Sequence, residues 1–255
     1  MIIAGLTGDI GHGKTTFANF LATQSSHARH LETWELVSEV ASSLKDSSST
    51  HPQAGDIDSI NKWLEVLPEL VKLHVHADIT FEDVKLTGQR LKDHPTHYVK
   101  LFEYLHDVDH SPKLAATPIT DETKESFRPL LQWVGGFIAI NIDGVWYQEI
   151  RRRIQHMTTQ GVDLVTVGGV RFPRDAEILR NSGGVVLEVV RPGMNARDSG
   201  DLTERERTLI EPDSTIINDC SLSGLEQCAQ QVWHDLMMRD LRPTYTASTA
   251  AVASS

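Results

Sequence analysis

An α/β fold with a doubly wound parallel sheet follows from three features of this sequence. Apolar runs of strand length stand at 2–7, 162–167, 184–190 and 214–217. Segments with helical periodicity separate them, the alternation that parallel βαβ units produce. The first run passes directly into Gly8-Asp9-Ile10-Gly11-His12-Gly13-Lys14-Thr15 and then into a helical pattern. A glycine turn therefore joins the carboxyl end of a strand to the start of a helix. Open sheets of this kind bind ligands at their carboxyl edge, where the turn, Gly168-Gly169 and Arg191 should meet.

The elements follow in order. After the strand at 2–7, the helix from Thr15 places Phe17, Phe20 and Leu21 on one face. Segment 29–45 reads as a short strand and then a helix carrying Leu36, Val37, Val40 and Leu44. Residues 46–58 lack apolar periodicity and read as a loop. From 59 to 111 helical spacing returns, in Trp63, Leu64, Leu67, Leu70 and Val71 and then Tyr98, Leu101, Phe102 and Leu105, with breaks at Pro68, Gly88 and Pro95. His74, His76, His94, His97, His106 and His110 fall here; His74 and His76 lie two apart, the wrong spacing for one helical face, so they read as solvated. A loop at 112–126 precedes two helices over 127–160, parted near Asn141-Ile142-Asp143-Gly144, and Arg151-Arg152-Arg153 reads as a solvated helix face. A helix at 174–182 ends at Ser182-Gly183-Gly184, a C-cap signal. Residues 194–213 are polar and charged like a flap, Ser223 to Leu241 is the last helix, and the Thr-, Ala- and Ser-rich tail 242–255 has the composition of a disordered end. The chain thus divides into one domain over 1–241, interrupted by a helical insert at 46–126.

Composition excludes several classes of function. The formal net charge of −11 opposes sequence-independent binding to a nucleic-acid backbone. It leaves room for a small phosphorylated ligand in a pocket of backbone N–H groups. Cys220 and Cys228 make no disulfide framework; helical spacing would set them two turns apart on one face as small core residues. The N-terminus has no basic n-region, and no apolar run reaches the ~18 residues of a membrane span, so the expected location is the cytoplasm.

The chemistry is carried by Gly8 to Thr15, which match G-x-x-x-x-G-K-[ST] in the strand–turn–helix setting that a P-loop needs. Glycines let successive N–H groups curl around phosphate oxygens, and the helix adds its positive end. Gly8, Asp9, Ile10, Gly11, His12, Gly13, Lys14, Thr15 and Thr16 are therefore the expected ATP-binding residues. Lys14 supplies a charge to the β- and γ-phosphates, and Thr15 offers a hydroxyl to Mg2+. No N-K-x-D base reader is present, and 255 residues favour a small-molecule kinase over a large ATPase.

The C-terminal half adds a resemblance. Val162-Asp163-Leu164-Val165-Thr166-Val167-Gly168-Gly169-Val170-Arg171-Phe172-Pro173-Arg174-Asp175-Ala176-Glu177 and Val189-Val190-Arg191-Pro192-Gly193 resemble signatures of phage deoxynucleoside monophosphate kinases. Asp198-Ser199, Thr203-Glu204 and Ile217-Asn218-Asp219 follow in the family's order, and Leu130-Leu131-Gln132-Trp133-Val134-Gly135 with Trp146 is similar to its central helix region. The resemblance covers the first 40 residues and 127–236, and leaves the insert unmatched. It implies a P-loop kinase fold with a helical acceptor-binding lobe and a short flap over 194–213. It also implies transfer of the γ-phosphoryl of ATP to a deoxynucleoside monophosphate, with Mg2+ as cofactor. Arg171 and Arg191 become the candidate catalytic cations with Lys14, and Arg197, Arg205 and Arg207 weaker flap candidates. Trp34, Glu35 and Gln132, with Arg171, become candidates to hold the acceptor, while Trp133 and Trp146 read as core. Nucleic acid and membrane are not expected partners; a homodimer stays open. Three positions depart from the family's pattern: Gly169 where an acidic residue is usual, Asp143-Gly144-Val145 where an arginine is, and Ser199-Gly200-Asp201 where a histidine follows the serine. Asp9 and Asp175 are the candidates to replace the missing acid. Two alternatives stand beside this reading: a kinase of another small acceptor such as dephospho-coenzyme A, and a catalytically silent ATP-binding switch.

Overall fold

The computed structural model describes residues 1–48, 51–76, 98–194 and 206–246. They form two compact units, one of Met1–Thr33 with Ile150–Ser255 and one of Trp34–Glu149. The first holds a six-stranded sheet, every pair parallel, in the order β2-β3-β1-β4-β5-β6. Its strands are β1 (Ile2–Thr7), β2 (Ala28–Glu32), β3 (Leu164–Gly168), β4 (Val185–Val190), β5 (Ser214–Ile217) and β6 (Thr244–Thr246). The apolar runs form strands because β-branched and aliphatic residues buried on both faces suit a parallel sheet. Central β1 pairs with β3 through Gly5 opposite Val167 and with β4 through Gly5 opposite Val186. β2 and β3 lie on one side of β1 and β4 to β6 on the other, so the strand order reverses beside β1 and its carboxyl end lies at a topological switch point.

Alternation along the strands sorts the two faces. Ala4, Leu6, Leu164 and Leu187 pack against Phe17, Ala18 and Leu21 of α1 (Lys14–Ala22) and against Leu225, Ala229 and Val232 of the helix at Leu222–Met238. The opposite face meets the helix at Pro173–Asn181, where Leu179 lies so close to Gly5 that a Cβ on Gly5 would overlap it. The tail differs from expectation: Thr244–Thr246 pairs with β5, held by the buried Tyr245. Residues 247–255 lie outside the described residues. Cys220 also differs, since the terminal helix starts at Leu222 and leaves Cys220 ahead of it; both thiols are free.

The second unit is helical and wider than the expected insert at 46–126. Its helices are α2 (Thr33–Asp46), α3 (Ile57–Leu64), α4 (Leu67–His74), α5 (Val99–His110), α6 (Lys113–Ala116), α7 (Arg128–Asn141) and the start of α8 (Val145–Thr159). The two sheet-flanking helices described above are then α9 (Pro173–Asn181) and α10 (Leu222–Met238). The break expected at Pro68 falls between α3 and α4: α3 ends at Leu64, and Pro68 stands in the first turn of α4, where it gives up an N–H that lacks a partner anyway. Tyr98, Trp133 and Phe137 form an aromatic core, Trp133 stacking on Phe137 at 5.0 Å between ring centres. Trp146 is buried and donates to the Gly135 carbonyl at 3.0 Å, so both expected core tryptophans are core. No helix among the described residues is long and apolar enough to cross a membrane.

Candidate active site

The carboxyl edge of the sheet gathers the ends of β1, β3, β4 and β5 around the glycine loop. Gly8, Gly11 and Gly13 have φ of 131°, 84° and 95°, which side chains rarely tolerate. Gly8 has a second constraint: a Cβ there would run into the Val189 carbonyl of β4. Lys14 opens α1, and its Nζ donates to the carbonyls of Gly8 and Asp9, both at 2.7 Å. The ammonium is thus folded back into the loop. Thr15 follows in the first turn, exposed.

His12 ties three strand ends together. Its carbonyl accepts from Asn218 Nδ2, just past β5, at 2.8 Å. Its Nδ1 accepts the backbone N–H of Arg191, just past β4, at 3.3 Å. That bond puts the proton of a neutral ring on Nε2. Nε2 is buried without a hydrogen-bond partner among the described residues, 3.8 Å from the Asp9 carboxylate. The Arg191 side chain is exposed at this edge.

Asp9 is engaged by Arg207, whose guanidinium pairs with its carboxylate and lies 3.7 Å from Glu188 on β4. Of the expected flap arginines, Arg207 therefore reaches the loop, and Arg197 and Arg205 lie outside the described residues. Arg171 stands beyond β3, half-buried, where its backbone N–H and that of Phe172 donate to Asp175 at 3.3 and 3.0 Å. Asp175 is thus occupied in fixing the start of α9, which leaves it poorly suited to replace a missing acid. Gly169 accounts for that loss: its φ is 77°, and a Cβ there would collide with the Thr33 hydroxyl, which donates to the Gly168 carbonyl at 3.2 Å.

Two carboxylates at this edge, Glu32 and Glu188, were not expected from the sequence. Glu32 ends β2 opposite Gly168, and its carboxylate lies where a Gly168 side chain would begin. His30 bridges Thr166 Oγ1 (2.7 Å) and Glu32 Oε1 (2.8 Å). The only sequence signal was the Gly168-Gly169 pair, meaningless until the register set Glu32 beside it. Glu188 was missed for the same reason.

In the helical unit, Trp34 and Glu35 start α2 and Gln132 lies on α7. The two helices pass close at Gly135, where an added Cβ would stand 3.4 Å from the Val37 side chain, one turn along from Gln132 and from Trp34. The Trp34 ring is half-buried, with Lys124 Nζ 4.5 Å from its centre. No group of three His, Cys, Asp or Glu among the described residues is arranged to hold a metal.

Comparison with known proteins adds the family. No curated protein matches the chain. Among solved structures, the full-length tRNA isopentenylpyrophosphate transferase from Bacillus halodurans is 12% identical over 96% of this chain and 90% of that one, but the TM-score of 0.15 is too low to carry an argument. The deoxynucleotide monophosphate kinase family matches over residues 75–228, reaching further into the helical unit than the sequence motifs did and taking in Gln132, Arg171 and Arg191. That match spans more than half of the chain, and the chain therefore belongs to the deoxynucleotide monophosphate kinase family of phosphotransferases.

Proposed function

We propose that the protein transfers the γ-phosphoryl group of ATP to the phosphate of a deoxynucleoside monophosphate. The observation that carries this is the glycine loop: three glycines at positive φ, ahead of a helix that opens with Lys14, at the switch point of a parallel sheet. Backbone N–H groups of 8–14 would cradle the phosphates of ATP. Lys14 would exchange the Gly8 and Asp9 carbonyls for β- and γ-phosphate oxygens, a short move for an ammonium already inside the loop.

An acceptor phosphate oxygen attacks the γ-phosphorus, and the bond to the β-bridging oxygen breaks, releasing ADP. The protein's task is to align the two phosphates and neutralise charge as it spreads over the transferring group. Arg171 and Arg191 leave the ends of β3 and β4 and are suited to that neutralisation. Mg2+ is a hard cation that takes oxygen donors and is held largely by substrate phosphates. The exposed Thr15 hydroxyl in the first turn of α1 suits it. When bound, it would withdraw charge from the phosphoryl group in transfer. For the acceptor, Trp34 offers a ring for a base to stack on, and Gln132 and Glu35 offer hydrogen bonds.

Coupled assays with ATP across a panel of monophosphates test the reading. Phosphorylation of at least one deoxynucleotide is expected. ATP binding without turnover of any monophosphate would overturn it in favour of a silent switch.

A further inference from the structure

We infer that Glu32 supplies, from β2, the carboxylate that holds the divalent cation accompanying ATP. This rests on reading the glycine loop as the ATP site.

Three observations converge on Glu32. The first is its face. Leu164 of β3 packs with α1, and side chains alternate along strands, so Thr166 and position 168 share that face. In the β2–β3 register, Ala28, His30 and Glu32 stand opposite Leu164, Thr166 and Gly168. Glu32 therefore projects on the side of the sheet covered by α1, at the edge where the first turn of α1 carries Lys14 and Thr15. The second is the space given to it. A Cβ on Gly168 would overlap all three atoms of the Glu32 carboxyl group, so a glycine at the end of β3 is what lets a side chain from β2 lean across that strand. The third is its support. Thr166, fully buried, fixes His30, and His30 Nε2 meets Glu32 Oε1 at 2.8 Å. This leaves Oε2 for a cation or its water, and a hydrogen-bonded carboxylate of this kind is a better-oriented ligand than a free one.

Three other carboxylates at the edge are committed elsewhere. Asp9 pairs with Arg207, Glu188 stands 3.7 Å from the same guanidinium, and Asp175 holds two backbone N–H groups. Position 169 is closed to a side chain by its φ and by Thr33. A cation bound through phosphate oxygens needs only one or two protein oxygens, and Thr15 with Glu32 provides them.

The test uses Mn2+ as a spectroscopic probe and the full chain. Wild type should bind ATP, and Mn2+ should bind to that complex. Glu32→Gln keeps an oxygen for His30 but loses the charge; it should raise the Mn2+ Kd in the ATP complex roughly ten- to hundredfold, while ATP affinity measured in EDTA stays the same. Glu32→Ala should do likewise, and adding Gly168→Asp, which returns a carboxylate to the vacated space from β3, should recover Mn2+ binding. Unchanged Mn2+ affinity in Glu32→Gln, or no recovery in Glu32→Ala/Gly168→Asp, would overturn the inference while the ATP reading stands. Failure of the wild type to bind ATP would overturn the ATP reading, and this inference with it.

Discussion

Lys14 and Asp9 show how single residues set the loop. Lys14 bonds two carbonyls of its own loop and is no part of the apolar core. Lys14→Ala should leave thermal unfolding close to wild type and lower kcat by roughly two to three orders of magnitude, the scale of losing one charge-stabilising group. Comparable kcat in the folded variant would remove Lys14 from the mechanism. Asp9 poses the opposite problem, since a carboxylate in a phosphate loop repels the ligand unless it is neutralised. Arg207 does that, with both side chains largely shielded from water. Arg207→Ala should therefore weaken ATP binding, and adding Asp9→Asn should restore part of the loss, because the second change removes the charge that the first exposed. Calorimetric ATP affinities of the two single variants and the double settle it; strictly additive losses would mean that Arg207 acts on ATP independently of Asp9. Gly8→Ala should cost roughly 1–3 kcal/mol from its φ alone, with more from the Val189 carbonyl behind it.

Among elements, β6 depends on α10. Tyr245, buried at the middle of β6, donates to Asp235 of α10 at 3.0 Å, and Arg242 Nε lies 3.0 Å from the same carboxylate. Burial alone would raise the Asp235 pKa, but hydrogen bonds from His234, Gln231 and Tyr245 and the Arg242 charge outweigh it and hold the pKa below the ordinary value. The Tyr245 hydroxyl is pushed up to about 12, mainly by burial. The signs follow by linkage. A depressed Asp235 stabilises the fold above the unfolded carboxyl pKa of ~3.9, and that contribution disappears as pH falls through the folded value. A raised Tyr245 contributes below the unfolded pKa of ~10, and its share is lost as pH rises towards 12. Tyr245→Phe should cost about 1 kcal/mol in urea unfolding at neutral pH. The deficit of Asp235→Asn should shrink below about pH 4; a deficit that stays constant down to pH 2 would show that the charge of Asp235 contributes nothing.

For the whole molecule, the chain order matters. Trp34–Glu149 is inserted between β2 and β3, so the sheet unit is completed only after the helical unit has been traversed. A phosphotransferase must hold two phosphorylated ligands at once. An adenosine–deoxynucleoside mimic joined by a phosphate chain should therefore bind more tightly than ATP, by up to roughly 10²–10⁴-fold if both ends engage. Equal affinity would mean that no acceptor site is used. Arg171→Ala and Gln132→Ala should separate in kinetics, the first lowering kcat and the second raising the acceptor KM.

The sequence by itself determined the parallel α/β class, the strand at 2–7, the glycine loop, and Trp133 and Trp146 as core, because these are written in local periodicity and in glycine spacing. It also carried the family, through residues on the strand ends. It did not determine that Thr244–Thr246 is a strand: a polar tripeptide has no periodicity, and only pairing with β5 and the Asp235–Tyr245 bond make it one. It suggested Asp175 as a replacement acid, and the fold assigns that carboxylate to the start of α9. Glu32 was invisible for the converse reason. It lies 136 residues from Gly168, and nothing near it in the chain marks it. The register of β2 on β3 brings the two together, and register is a property of the assembled sheet.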